Sequence, residues 1–276
     1  MINTKKIGLV FSGGGAKGAY QIGVWQALID LEIAPLITGI SGTSVGAING
    51  VLFAQGDINV GYEIWEKAKL KPLDFENITK RRRFFVKLVG ENNVNALYNI
   101  TKSECMSSKR LSEYIKIYLK PNLLNNFLGD CFIATHDVNQ KVPVYFNLKN
   151  YQKEEQERIL LASASIPYIF SSVSFNGRKF SDGGLSDNTP IKPLYEAGYE
   201  TIIAVYLSKQ GFHSASDFPN ATIINLVPSI SLGDFRTGTL NFSDQKIDSM
   251  IEQGYDDTIR AAHRLMAFQK LIPYQN

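Results

Sequence analysis

The stretch that most limits what this chain can fold into is Gly42-Thr43-Ser44-Val45-Gly46, set between an apolar strand and a small-residue helix. Leu36 to Ile40 reads as a buried strand, and Ala47 to Gln55 as the helix. A serine in G-x-S-x-G at such a junction sits on a turn tight enough to strain its backbone. Gly42 and Gly46 remove the Cβ atoms that would clash there. The hydroxyl then projects above the sheet edge, and the positive end of the following helix favours a developing oxyanion. A packing turn with a passive serine is the plainer reading of the pentapeptide.

An earlier stretch repeats the strand–turn–helix order. Lys5 to Phe11 reads as a short buried strand, Ser12 to Gly15 as a glycine turn, and Gly18 to Leu31 as a helix. Two such units in succession begin a parallel α/β sheet. Gly13-Gly14-Gly15-Ala16-Lys17-Gly18 fits G-x-G-x-x-G, the dinucleotide fingerprint. That use wants an acidic residue at the end of the next strand, but Ile40-Ser41 stands there. A P-loop also fails, because its lysine follows a longer gap and precedes Ser or Thr. Successive glycine amides can instead form an anion nest beside a nucleophile, with the Val45 amide as a second donor.

Phe180-Ser181-Asp182-Gly183-Gly184 offers a carboxylate at a glycine turn, a pattern common in surface hairpins. The three histidines, His136, His213 and His263, stand in unremarkable contexts. None is an obvious partner for a serine. The net charge of +3 is compatible with an anionic membrane surface and too small to argue for nucleic acid. Cys105 and Cys131 have neither metal-like spacing nor disulfide density, which suits a reducing compartment. The apolar Ile7–Phe11 stretch is too short for a signal-peptide core, and no run approaches a bilayer span. The expectation is a cytoplasmic protein that meets membranes only at their surface.

Gly61 to Phe127 is patterned differently, with helical stretches around 61–70 and 109–119, and reads as a mainly helical cap insert. Within it Lys80-Arg81-Arg82-Arg83-Phe84-Phe85 could dock on anionic lipid, or be a solvated basic face. Further on, 131–135 and 142–146 read as paired strands, 155–163 as a helix, and 173–180 as a hairpin around Asn176-Gly177. Strands follow at 201–207 and 222–227. Ser243 could cap a last helix that buries Ile247, Met250, Ile251, Gly254, Ile259, Ala262 and Leu265.

Four blocks together resemble the patatin-like phospholipase family, and its compact bacterial members in particular. They are Ser12 to Tyr20, Gly42 to Ala47, Ala162 to Pro167, and Asp182 to Pro190. The resemblance implies a three-layer α/β/α sandwich with a mostly parallel sheet, as one domain over 1–276 with its core near 5–207. It implies a Ser–Asp dyad without histidine: Ser44 the nucleophile, Asp182 the proton acceptor. Gly13, Gly14 and Gly15 would form the oxyanion hole with Val45, while Gly42, Gly46, Gly183 and Gly184 support the loops. Lys17 stands where the family carries Arg or Lys and would steady the loop or attract a phosphate. Asn188 and Pro190 would hold the acid's loop. Thr135-His136-Asp137 departs from the family, which runs from Thr directly to Asp.

The implied activity is hydrolysis of phospholipids or other lipid esters through an acyl-enzyme, with no cofactor. A lysophospholipase, triacylglycerol lipase, general esterase or acyltransferase would use the same residues. A non-catalytic lipid-binding protein is the reading from a different class.

Overall fold

Five apolar residues in a row, with no polar alternation, form a strand covered on both faces. In the computed structural model β1 (Ile7–Phe11) is buried throughout and lies inside the sheet. Residues 6–70, 108–118, 124, 127–167, 170–209 and 211–271 are described. The basic segment at 80–83 and Cys105 lie outside them.

The chain runs through α1 (Ala19–Asp30), β2 (Ile37–Thr43), α2 (Val45–Gln55), α3 (Ile58–Leu70) and α4 (Ser108–Tyr118). β3 (Asp130–Asp137), β4 (Pro143–Asn147), α5 (Lys153–Ser163), β5 (Val173–Phe175) and β6 (Arg178–Asp182) follow. It continues through α6 (Lys192–Glu196), β7 (Thr201–Val205), β8 (Thr222–Leu226), α7 (Asp244–Arg264) and α8 (Met266–Gln269). The sheet order is β5-β6-β3-β2-β1-β7-β8, with β4 also paired to β3. The five strands β3-β2-β1-β7-β8 are mutually parallel, and β4, β5 and β6 add antiparallel pairs. Asn176 and Gly177 both take positive φ, 48° and 74°, and close the β5–β6 hairpin that the sequence signals.

Side chains alternate between two cores, as the pleat requires. Leu9 and Phe11 join the larger core, with residues of α1, α2, α5 and α7. Val10 faces a smaller one built from Ile191, Leu194, Tyr199, Ile202 and Tyr206. The sheet is therefore covered on both faces, with α6 the helix on the thinner side.

The described parts of the expected cap join the main core: Trp65, Leu111, Ile115 and Leu124 are buried in it. Helix α7 docks on α1 backbone to backbone. A methyl group on Gly254 would stand 2.0 Å from the Tyr20 carbonyl oxygen. Two expectations for this helix need correction. Ser243 precedes it, but its hydroxyl caps nothing; its carbonyl receives the Lys246 and Ile247 amides instead. Leu265 falls past the helix end and is 40% exposed, whereas Asp257 and Thr258 are buried. Among the described residues no helix is long and apolar enough to cross a membrane.

Candidate active site

One edge of β3 is shared by two strands, and that sharing builds the site. Strand β2 occupies it as far as Thr43 opposite Ala134. At the next position Thr135 pairs with Asp182, the last residue of β6. The other edge is filled by β4, with Tyr145 opposite Ala134 and Val144 opposite Thr135. The end of β2 and the end of β6 therefore abut along one line. Ser44 leaves β2 where Asp182 arrives.

Ser44 leaves sharply. Its φ is 56° and ψ −126°, a conformation that non-glycine residues rarely take. The turn folds so tightly that a methyl on Gly46 would stand 2.2 Å from the Phe11 carbonyl oxygen. Helix α2 starts at Val45, earlier than the apolar pattern suggests, so its positive end lies at Ser44. The Ser44 amide donates to Ser163 Oγ at 2.9 Å, and that hydroxyl donates to the Ala134 carbonyl at 2.6 Å. Two residues on, the Ser165 carbonyl receives the Asp182 amide at 2.9 Å. The small-residue block that ends α5 thus grips both members of the pair. The sequence marks this block but gives Ser163 no role, because its partners lie on other elements.

Asp182 and Ser44 are nearly closed to solvent, at 6% and 7% exposure. Burial pushes the Asp182 carboxyl up to about 6, against the lowering pull of the Ser44 hydroxyl and the Gly184 amide. The Gly184 amide donates to Asp182 Oδ1 at 2.8 Å. The Ser44 hydroxyl faces the carboxyl closely enough to act on it as a hydrogen-bond donor.

The acid's loop is pinned to the glycine turn and to β2. Asn188 brackets Gly13, accepting its amide at 3.0 Å and donating to its carbonyl at 3.1 Å. Thr189 Oγ1 meets Ser12 Oγ at 2.8 Å, and Thr43 Oγ1 donates to the Asp187 carbonyl at 2.9 Å. The Tyr145 hydroxyl donates to Asp187 Oδ2 at 2.7 Å.

Gly13 gives its amide to Asn188, whereas among the described residues no hydrogen bond to another segment engages the backbone amides of Gly14, Gly15 or Val45. Lys17 is buried, and its stem lies against Gly238, where a methyl would stand 2.6 Å from Cε. Burial pushes its amine down, Asp234 pulls it up and Lys246 pushes it down again. His136 contacts Ser186 Oγ, and burial lowers its pKa. His213 Nε2 lies 3.1 Å from the Thr189 carbonyl, and His263 is exposed on α7. Among the described residues no histidine hydrogen-bonds Ser44 or Asp182.

A serine on a strained elbow beside a buried acid, on a mostly parallel sheet with helices on both faces, defines the class. The family model described as patatin-like phospholipase matches residues 9–195, and the chain belongs to that family. A lysophospholipase NTE1 of Cryptococcus neoformans is 27% identical over 222 residues, 78% of this chain and 12% of the relative. An uncharacterised NTE family protein of Mycobacterium bovis is 24% identical over 80% of this chain and 54% of its own length. The chain thus spans only about an eighth to a half of these relatives. Among solved structures, VipD from Legionella pneumophila superposes with a TM-score of 0.54 at 15% identity, covering 94% of this chain and 67% of that one. Human GIVD cytosolic phospholipase A2 gives 0.53 at 11% identity, covering 98% and 63%. Both likenesses concern the fold.

Proposed function

We propose that this chain is a serine acyl hydrolase of the phospholipase A or lysophospholipase type, working through a Ser44–Asp182 dyad. The observation that carries the reading is the β3 edge, which delivers the elbow serine and a buried, proton-avid carboxylate to one point. A carboxylate is ordinarily a weak base for a hydroxyl. Raised to about 6, it matches neutral-pH proton transfer better.

Ser44 Oγ attacks the ester carbonyl carbon as its proton passes to Asp182. The carbonyl oxygen takes the negative charge and is received by the amides of Gly14, Gly15 and Val45, with Gly13 serving as the anchored hinge of that loop. The tetrahedral intermediate collapses, and the alcohol or lysolipid leaves with the proton from Asp182. Water then gives a proton to Asp182 and attacks the acyl group; the fatty acid departs as Asp182 returns that proton to Ser44 Oγ. Oxyanion donors supply the larger share, since losing one typically costs on the order of 100-fold. Lys17, tucked against Gly238, steadies the loop. The substrate is drawn from a lipid surface that the protein meets peripherally.

The test is Ser44→Ala. Turnover of lysophospholipid and labelling by a fluorophosphonate should both vanish, a loss of roughly 10⁴-fold or more, while the circular dichroism spectrum stays that of the parent. Activity retained in Ser44→Ala refutes the dyad. Lipid binding without labelling of the parent protein favours a non-catalytic lipid carrier on this fold.

A further inference from the structure

The glycine turn is held at both ends by side chains that the proposed reaction does not touch. At its start, Gln21 Nε2 donates to the Ser12 carbonyl at 2.7 Å. At its end, Asn49 Nδ2 donates to the Gly18 carbonyl at 3.0 Å. The two amides are also joined, Asn49 Nδ2 donating to Gln21 Oε1 at 2.8 Å. Asn49 Oδ1 in turn accepts the Trp65 indole N–H at 3.2 Å. Gln21, Asn49 and Trp65 are all buried. Buried amides that satisfy one another resist displacement, because breaking one bond strands its partner away from water.

The elements these residues stand on give the network its meaning. Gln21 belongs to α1, which follows the glycine turn directly. Asn49 belongs to α2, whose first residue follows Ser44. The bond between them sets the distance from the nucleophile's helix to the loop. Trp65 comes from α3, stacks on Phe242 with ring centroids 6.4 Å apart at 15°, and closes against Gly18. Oxyanion stabilisation depends on donor placement at the scale of fractions of an ångström.

We infer that Gln21, Asn49 and Trp65 are positioning residues that fix the oxyanion loop relative to Ser44. The inference rests on the dyad reading given above. The full chain is compared with Gln21→Met, Trp65→Phe and Ser44→Ala, using p-nitrophenyl butyrate turnover and inhibition by an alkyl trifluoromethyl ketone. The ketone forms a hemiketal oxyanion on serine and so reports the hole itself. Gln21→Met keeps the side-chain volume and loses the amide; kcat should fall roughly 10- to 100-fold with KM nearly unchanged. Ketone affinity should fall by a similar factor. Trp65→Phe loses one N–H and should lower both by roughly 3- to 10-fold.

A wild-type kcat in these variants, or a loss confined to KM or to the melting temperature, overturns the inference. If Gln21→Met does not fold, Trp65→Phe decides the matter by the same criteria. Turnover surviving in Ser44→Ala removes the dyad and the inference together. An inert Ser44→Ala beside fully active Gln21→Met and Trp65→Phe removes the inference alone.

Discussion

Ser44 and Asp182 arrive at the same point by opposite routes. The serine is placed by local strain: a positive φ, a helix starting at the next residue, and glycines where the backbone doubles back. The acid is placed without strain, at φ −51° and ψ 126°, by register with β3 and by bonds from distant segments. One geometry is written into five consecutive residues. The other exists only once the sheet has formed. A single added atom should therefore ruin the elbow, whereas the acid should tolerate substitution structurally and fail only chemically.

Gly46→Ala tests the first half and should give the largest effect. The added methyl would stand 2.2 Å from the Phe11 carbonyl and 2.5 Å from that of Ser12, both backbone atoms that cannot swing aside. The expected cost is about 3 kcal/mol or more, comparable to severe overpacking, with loss of turnover. Urea denaturation with an activity assay measures both. A variant of parental stability and activity would mean that the elbow has slack, and the contrast between the two routes would fail.

Asp182→Asn tests the second half and should separate chemistry from fold. Turnover should drop by at least about 1000-fold, because the amide cannot accept the proton. Stability should move the other way. Burial raises the folded pKa to about 6, so the folded protein holds this proton more tightly than the unfolded chain does. The group favours folding at acid pH and withdraws that support as pH climbs through 6. Above pH 7 the buried charge costs roughly 3 kcal/mol, which the asparagine does not incur. Asp182→Asn should thus be more stable than the parent at pH 8, with the advantage gone near pH 4. In the parent enzyme kcat/KM should fall as pH drops through about 6, where Asp182 takes up its proton. Equal stability of both proteins at pH 8 would show the carboxylate to be well solvated.

The same division decides what can be read in the sequence. The elbow, the glycine turn and the Asn176-Gly177 hairpin are legible because their chemistry is local. Asp182 by itself looks like any Asp-Gly turn, and only the four-block resemblance to a family singles it out. Nothing in the order of residues shows β3 serving two strands along one edge. Ser163 is likewise hidden, since its hydroxyl bridges Ser44 and Ala134, both far away along the chain. Asp257 on α7 shows the mixed case: Arg260, three residues on, is legible as its partner, but Tyr20 and Ser229, which complete its burial, are far along the chain. A buried charge is visible in sequence only when its partners are neighbours. In the glycine turn the motif marks the loop, but which amide is already engaged depends on Asn188, 175 residues away.

Ser41 supplies the smallest effect and the sharpest control on the comparison. It lies on β2, three residues before Ser44, fully buried between Val10 and Phe132 in the pairing. Among the described residues its hydroxyl finds no hydrogen-bond partner. Burying a hydroxyl without a partner typically costs about 1–3 kcal/mol, while deleting the oxygen leaves a gap smaller than a methyl group. Ser41→Ala should therefore leave kcat and KM unchanged and raise stability by up to about 1 kcal/mol, measured by thermal or urea unfolding. If strand position alone determined function, both serines would matter; the strained backbone and the facing acid belong only to Ser44. A marked loss of activity in Ser41→Ala would show that β2 transmits packing changes to the elbow, so that the local route depends on the sheet as the acid's route does.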